Sequence, residues 1–316
     1  MPVDPQIQQM LDALAAREYG GVSSGTPAEG RAAFRLLTVD LRRPDTIVRV
    51  AEVEDLDVPG ATGRLPARVY RPGSEGPHPT VVFFHGGGYV IGDIDTHDNQ
   101  ARTLCREVDA VVLSVGYRLA PEHPFPAGLE DCEAATRWAG EHVERLGGDP
   151  GRMAVAGDSA GGNLAAVVAR RARDAGGPPL AAQLLIYPGT DHAGDYPSRT
   201  ENGEGLFLTL ADMRWFSDHY VGTTDRSDPD LSPVLATDLG GLPPAVVVTA
   251  QYDPLRDEGE AYAHALERAG VPVTLRRFDG LIHGFFDLAA LSPAAAEAVR
   301  ATCAELRRVL TYAAAP

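Results

Sequence analysis

The sequence predicts an α/β fold: a mostly parallel central sheet flanked by helices, with a helical cap. Two patterns predict it. From Thr80 onward, unbroken apolar runs at residues 81–84, 110–115, 153–156, 184–187, 246–249 and 273–276 alternate with helical stretches near 98–107, 129–145, 163–175 and 257–269. A strand buried on both faces has no polar side to present, so it reads as a continuous hydrophobic run. In the second pattern, the run Met153 to Ala156 passes through Gly157-Asp158-Ser159-Ala160-Gly161 directly into a helix. So abrupt a strand–helix junction needs a very tight turn. The flanking glycines are there because a Cβ would collide with the crossing backbone, and Ser159 sits strained at the tip with its Oγ projecting from the sheet edge.

The other elements follow in chain order. Ile7, Met10, Leu11 and Leu14 fall at i, i+3, i+4 and i+7, an amphipathic helix stopped by the glycine-rich stretch 20–25. A second helix over 26–40 opens with Thr26 at the N-cap and Pro27 at the first helical position. Both helices precede any strand, so they must dock on structure built later. Residues 46–53 and 65–70 alternate and carry β-branched side chains, which predicts antiparallel strands. Between 189 and 239 no strand run occurs, but 206–220 reads as an apolar helix, and an insertion of this length suits a lid better than a bare loop. The last helix opens at Ser292-Pro293 and places Val299, Cys303, Leu306 and Leu310 on one face. The expected organisation is cap helices in 1–45, a catalytic core in 46–188 and 240–316, and a cap insertion in 189–239.

Composition narrows the function. The 316 residues carry a net charge of −16. That argues against nucleic acid, which demands a basic stripe, and against anionic membrane surfaces. The sequence contains no Lys, which excludes a Lys Schiff base and a Walker-type phosphate lysine. Cys105, Cys132 and Cys303 are few, distant and odd in number, and read as small core residues in a reducing compartment. The first residues show no basic and apolar leader pattern, and the longest apolar runs are strand-length. A soluble cytoplasmic chain is expected, with no metal, no organic cofactor and no membrane or nucleic-acid partner; homodimerisation is left open.

The chemistry-bearing residues gather at strand ends. His85-Gly86-Gly87-Gly88-Tyr89 follows the run 81–84. Three bare glycines either make a flexible turn or expose backbone N–H groups able to bind an anion. The helix starting after Ser159 aims the Ala160 N–H at any negative charge developing beside that serine. Tyr252-Asp253 ends the run 246–249, and His283 follows the run 273–276 plus a short loop. All three therefore belong to the carboxyl edge of the sheet, in the order Ser, Asp, His. A serine hydroxyl is a poor nucleophile until a neutral imidazole takes its proton, and the imidazole needs a carboxylate to fix its tautomer. A lone histidine is more often structural; the order and the strand-end placement favour His283 as the base. Asp257 and Glu258 rival Asp253 but fall inside the next helix. Glu122, His123 and Asp131 read as scaffold. Tyr89, Leu206, Phe207, Trp215 and Phe216 are candidates for an acyl pocket, although apolar residues on a helix usually only pack; Phe34 and Leu36 share that ambiguity.

These motifs carry a resemblance. His85-Gly-Gly-Gly-Tyr-Val-Ile-Gly-Asp, Tyr117-Arg-Leu-Ala-Pro-Glu-His-Pro-Phe-Pro-Ala, Gly157-Asp-Ser-Ala-Gly-Gly-Asn, Asp253-Pro-Leu-Arg-Asp-Glu-Gly and His283-Gly-Phe occur in order along nearly the whole chain. Together they resemble the bacterial hormone-sensitive-lipase-like carboxylesterases, family IV, the GDSAGG branch of the α/β-hydrolase fold. The resemblance implies Ser159 as nucleophile, His283 as base and Asp253 as orienting acid. It implies an oxyanion hole of the Gly87, Gly88 and Ala160 amides, with Gly86 the less certain member of the loop, and a supporting role for Asp158. His85 is expected to hold the glycine loop by a hydrogen bond. The expected activity is hydrolysis of short-acyl esters, with a small-molecule ester as the partner. An amidase or deacetylase with the same triad is the nearest alternative, and a non-catalytic ligand receptor on this fold is a more distant one.

Overall fold

Strands β1 (Glu52–Pro59), β2 (Arg64–Arg71), β3 (His78–Phe84), β4 (Val111–Val115), β5 (Gly148–Asp158), β6 (Ala182–Ile186), β7 (Ala245–Tyr252) and β8 (Val273–Ile282) form one sheet. The computed structural model describes residues 1–16 and 21–312. The sheet runs β1-β2-β4-β3-β5-β6-β7-β8. The β1–β2 and β2–β4 pairs are antiparallel and the rest are parallel. Ten α-helices accompany it in the described residues: α1 (Pro5–Ala15), α2 (Pro27–Arg35), α3 (Asp98–Val108), α4 (Ala127–Glu141), α5 (Val143–Leu146), α6 (Ala160–Asp174), α7 (Pro197–Glu201), α8 (Leu210–Tyr220), α9 (Arg256–Arg268) and α10 (Pro293–Tyr312). Gly20 of the expected helix stop and residues 313–316 of the expected core lie outside the described residues.

The unbroken apolar runs have the predicted cause. In β3, Val82 and Phe84 enter one core together with α4, α6 and α9, while Val81 and Phe83 enter a second core with α1, α3 and α10. Because the strand period is two, burial on both faces requires every residue of the run to be apolar. Cys132 belongs to the first core, and Cys105 and Cys303 to the second; all three thiols are free. The β3–β4 crossover carries α3 on the second face and the β5–β6 crossover carries α6 on the first. The order therefore reverses between β3 and β5, which opens a crevice at their carboxyl ends. No helix among the described residues is long and apolar enough to cross a membrane.

Three expected boundaries move. The first strand starts at Glu52 and not near 46, because Asn99 of α3 takes the backbone of that segment. Its Oδ1 accepts the Val48 N–H at 2.8 Å, and its Nδ2 donates to the Thr46 carbonyl at 3.1 Å. The helix expected over 129–145 breaks at His142, where ψ reaches 15°. The helix expected from 206 begins only at Leu210: Phe207 has φ 72°, and Thr209 and Asp212 close a capping box. The second helix keeps its Thr26 cap and Pro27 but passes at Leu36 into one π-helical turn.

Asp131, read as scaffold, proves to be a buried anchor. Its carboxylate accepts the Ala61 N–H at 3.0 Å, the Arg118 N–H at 3.1 Å and the Arg118 guanidinium at 2.7 and 3.0 Å, with no exposed side-chain surface. Truncation strands a half-buried guanidinium and two amides. Asp131→Ala is expected to cost about 3–5 kcal/mol of unfolding free energy by urea titration; a loss below about 1 kcal/mol would show the pair to be superficial.

Candidate active site

Ser159 is the residue between β5 and α6, with φ 55° and ψ −118°. This strained backbone is held in place by contacts around it. A Cβ on Gly157 would overlap the Gly161 backbone, and a Cβ on Gly161 would overlap the Phe84 carbonyl. The Ser159 N–H donates to the Ile186 carbonyl at 2.8 Å, and its own carbonyl accepts from Asn163 N–H at 3.1 Å as the first bond of the helix. The hydroxyl is thereby fixed at the β3/β5 crevice.

His283 follows β8, and Asp253 follows β7. His283 Nδ1 lies 2.8 Å from Asp253 Oδ2, and His283 Nε2 lies 3.0 Å from Ser159 Oγ. A carboxylate only accepts, so Nδ1 carries the proton and Nε2 is left bare to accept from the hydroxyl. Asp253 is wholly buried, its Oδ1 accepts the Leu255 N–H at 2.8 Å, and its carbonyl accepts from Asn202 at 3.2 Å. Neither rival carboxylate reaches the imidazole. Asp257 bonds the Ser198 N–H and Arg256. Glu258 is buried against Arg199 and the Thr190 N–H, and burial lifts its carboxyl to about 7 against the pull of Arg199.

The glycine loop is sorted by one buried carboxylate. Asp158 Oδ1 accepts the Gly86 N–H at 2.8 Å, which commits that amide. Among the described residues the N–H groups of Gly87, Gly88 and Ala160 find no protein acceptor. Gly87 and Gly88 have φ of 108° and 59°. A Cβ at Gly87 would overlap the Ile91 carbonyl, and one at Gly88 would overlap the Phe216 ring of α8. His85 Nδ1 lies 2.8 Å from the Gly86 carbonyl, and its ring stacks on Tyr117, whose hydroxyl donates to the His85 carbonyl. Burial, then the neighbouring His97, pushes the His85 imidazole down to about 4. His97 behaves oppositely. Burial alone would lower it, yet Asp158 at 3.6 Å raises it above the ordinary histidine value. Asp158, which burial would raise, is held low by His97 and the Gly86 N–H.

A cavity of about 1200 Å³ opens on these groups. Tyr89, Phe207 and Phe216 line it, as do Phe34 and Leu37 of the N-terminal segment. Two expected wall residues do not. Trp215 is one residue, about 100°, around α8 from Phe216, and packs on the first core and on His219. Leu206 precedes the helix and packs on the second core. Leu36 is turned outward and half exposed, and its neighbour Leu37 takes the cavity side. The sequence reading missed His192, Arg199, Gln100, Phe286 and Asp287, all of which contribute wall. Among the described residues no cluster of three or more His, Cys, Asp or Glu is arranged to hold a metal ion.

Known proteins match the chain over most of its length. A family model described as "alpha/beta hydrolase fold" matches residues 81–287. Carboxylic ester hydrolase LipN of Mycobacterium tuberculosis is 45% identical over 319 residues, covering 97% of this chain and 84% of that one. Esterase LipI of the same organism is 44% identical, covering 98% and 95%. Among solved structures, an ester-hydrolase from the metagenome of Lake Arreo, complexed with a bipyridine phosphonate derivative, superposes with TM-score 0.92 at 44% identity, covering 97% and 98%. A hyperthermophilic esterase from Pyrobaculum calidifontis gives 0.90 at 42%, covering 98% and 99%.

The charge pair under the glycine loop predicts a pH signature. A histidine raised on folding contributes stability that is complete below its ordinary value of 6.5 and is lost as pH rises through the folded value. The stability gap between the parent protein and His97→Gln, read from urea midpoints, is therefore expected to shrink as pH is raised from 6.5 into the alkaline range. A gap that widens would mean His97 is neutral in the folded protein.

Proposed function

The chain belongs to the α/β-hydrolase family and is a carboxylester hydrolase, and on that footing we propose that Ser159, His283 and Asp253 cleave short-acyl esters through an acyl-enzyme. The observation that carries the reading is the unbroken relay from the Ser159 hydroxyl at 3.0 Å to His283 and from His283 at 2.8 Å to a wholly buried Asp253. The Ser159 oxygen attacks the ester carbonyl carbon as its proton passes to His283 Nε2. The carbonyl oxygen becomes an anion received by the Gly87, Gly88 and Ala160 amides at the α6 N-terminus, where the helix dipole adds to the stabilisation. Collapse expels the alkoxide, which takes the proton from His283. Water then repeats the sequence on the acyl-enzyme and returns the serine with a free carboxylic acid.

The same reading makes residues 1–45 and 189–239 a cap over the core. Its support is that Phe34 and Leu37 face the same cavity as Phe207 and Phe216, and that the Ser23 N–H donates to Asp212 of α8 at 3.0 Å. Three unpaired thiols suit a reducing, cytoplasmic setting. The cavity wall mixes apolar Phe34, Leu37, Phe286 and Leu288 with polar Asn99, Gln100, Thr103 and Arg106. A long alkyl tail that covered those polar groups would desolvate them without compensation, which favours short acyl chains.

Two measurements test the proposal. Ser159→Ala is expected to lower kcat on a p-nitrophenyl ester by about a thousandfold or more while leaving the far-ultraviolet spectrum intact; near-parental turnover would unseat the nucleophile. Across acetyl, butyryl, hexanoyl, decanoyl and palmitoyl esters, kcat/KM is expected to peak at butyryl or hexanoyl, and a peak at palmitoyl would reject the short-acyl assignment.

A further inference from the structure

Tyr89 holds a backbone conformation that its own side chain disfavours. The Gly87 carbonyl accepts the Val90 and Ile91 N–H groups at 3.1 and 2.9 Å, so residues 87–90 close a tight turn. Both central residues have positive φ, 59° at Gly88 and 64° at Tyr89, the sign pattern of a type I′ turn. Glycine takes the first position freely. The second favours glycine or asparagine, and a tyrosine persists there only where its surroundings impose it.

The turn also sets the direction of the Gly88 N–H. In a trans peptide the N–H and C=O point opposite ways, and none of the cis peptide bonds falls in this loop. The Gly87 oxygen is turned onto the Val90 and Ile91 amides. The Gly88 N–H is therefore left on the other side of the same peptide, where it finds no protein acceptor among the described residues. Returning Tyr89 to negative φ would open the turn, release the Gly87 carbonyl and let that peptide rotate.

The contact that imposes the conformation comes from α8. The Tyr89 ring lies flat on the ring of Tyr220, the last residue of that helix, with centroids 3.7 Å and planes 5° apart. Phe125 backs Tyr220 edge-on at 5.8 Å, and its N–H donates to the Tyr220 carbonyl at 2.9 Å. One turn earlier on α8, Phe216 closes over Gly88. The other holds on Tyr89 are the Ala120 N–H, donating to its carbonyl at 2.9 Å, and His192, 3.4 Å from its hydroxyl. Tyr220 is buried and does not line the cavity, and among the described residues its hydroxyl has no hydrogen-bond partner. Its ring can act on the site only through the face it shares with Tyr89.

We propose that Tyr220 is a positioning residue for the reaction: its ring holds Tyr89 in the left-handed conformation and so keeps the Gly88 N–H aimed at the forming oxyanion. The inference rests on the Gly88 amide serving the oxyanion hole.

The test compares a p-nitrophenyl ester with its thionoester, in which C=S replaces C=O. Sulfur is the poorer acceptor, so the ratio of the two kcat/KM values, oxygen over sulfur, reports hydrogen bonding to the reacting carbonyl and not general damage. In Tyr220→Leu, kcat on the oxygen ester is expected to fall about tenfold or more with KM nearly unchanged, and the ratio to fall with it, since loss of a whole donor costs roughly a hundredfold. Tyr220→Phe, which keeps the ring, is expected to match the parent in both. An unchanged ratio in Tyr220→Leu, or a Tyr220→Phe that falls as far, overturns the proposal. Should Tyr220→Leu fail to fold, Tyr89→Val and Tyr89→Gly decide. Both lose the stack, but only glycine takes a positive φ unaided, so the ratio must be at least about fivefold lower with valine; equal ratios overturn the proposal. A parent ratio near one removes the oxyanion hole and the proposal with it, whereas a high parent ratio untouched by Tyr220→Leu removes the proposal alone.

Discussion

The site depends on one close approach of backbone to backbone. β5 and α6 can meet at a single residue only because Gly157 and Gly161 let the chain cross itself and press against the Phe84 carbonyl of the adjacent strand. That crowding holds Ser159 in a left-handed conformation of the kind that costs roughly 1–3 kcal/mol. The surrounding buried sheet is what keeps so strained a residue in place. In return the hydroxyl stands clear of the sheet edge, and the amide after it begins a helix. The position of the Ser159 hydroxyl and the position of the Ala160 amide are therefore one geometric fact.

The same crossing brings the glycine loop of β3 beside the serine, and there a buried carboxylate does the sorting. Asp158, with His97 3.6 Å away, takes the Gly86 amide, so the loop is pinned at its first glycine and the next two amides find no acceptor among the described residues. Replacing either glycine that carries a free amide would require a Cβ inside Ile91 or Phe216. The loop's shape thus comes from crowding on one side and a single charge-assisted hydrogen bond on the other. Two adjacent buried histidines are pushed in opposite directions: His85 faces carbonyl and ring and is driven down to about 4, while His97 faces a carboxylate and is raised above its ordinary value.

Strand positions and the meeting of Ser159, Asp253 and His283 were legible in the sequence because each leaves a local mark. An apolar run marks a two-sided strand, and the order of Ser159, Asp253 and His283 at successive strand ends puts them on one edge. The cavity wall was not legible, because which way a residue faces depends on neighbours remote in sequence. In α8, Leu210, Met213, Phe216 and Tyr220 share an arc of about 120° that leaves Trp215 outside it, but the arc does not say which of its residues meets the cavity until Gly88 is seen under Phe216. The displaced start of β1 has the same origin. Its apolar alternation is real, but Asn99, fifty residues away, claims the Val48 and Thr46 backbone groups first.

Two buried carboxylates show why burial alone does not identify a working group. Asp253 is buried with both oxygens engaged, one by a backbone amide and one by an imidazole that also reaches the serine hydroxyl. Asp158 is buried with one oxygen spent on a loop amide and His97 3.6 Å away, so it holds the glycine loop. Asp287, by contrast, is exposed, with one oxygen accepting from Gln100. Similar burial of Asp253 and Asp158 thus serves two uses, and the deciding quantity is what each carboxylate faces once the protein has made its own bonds.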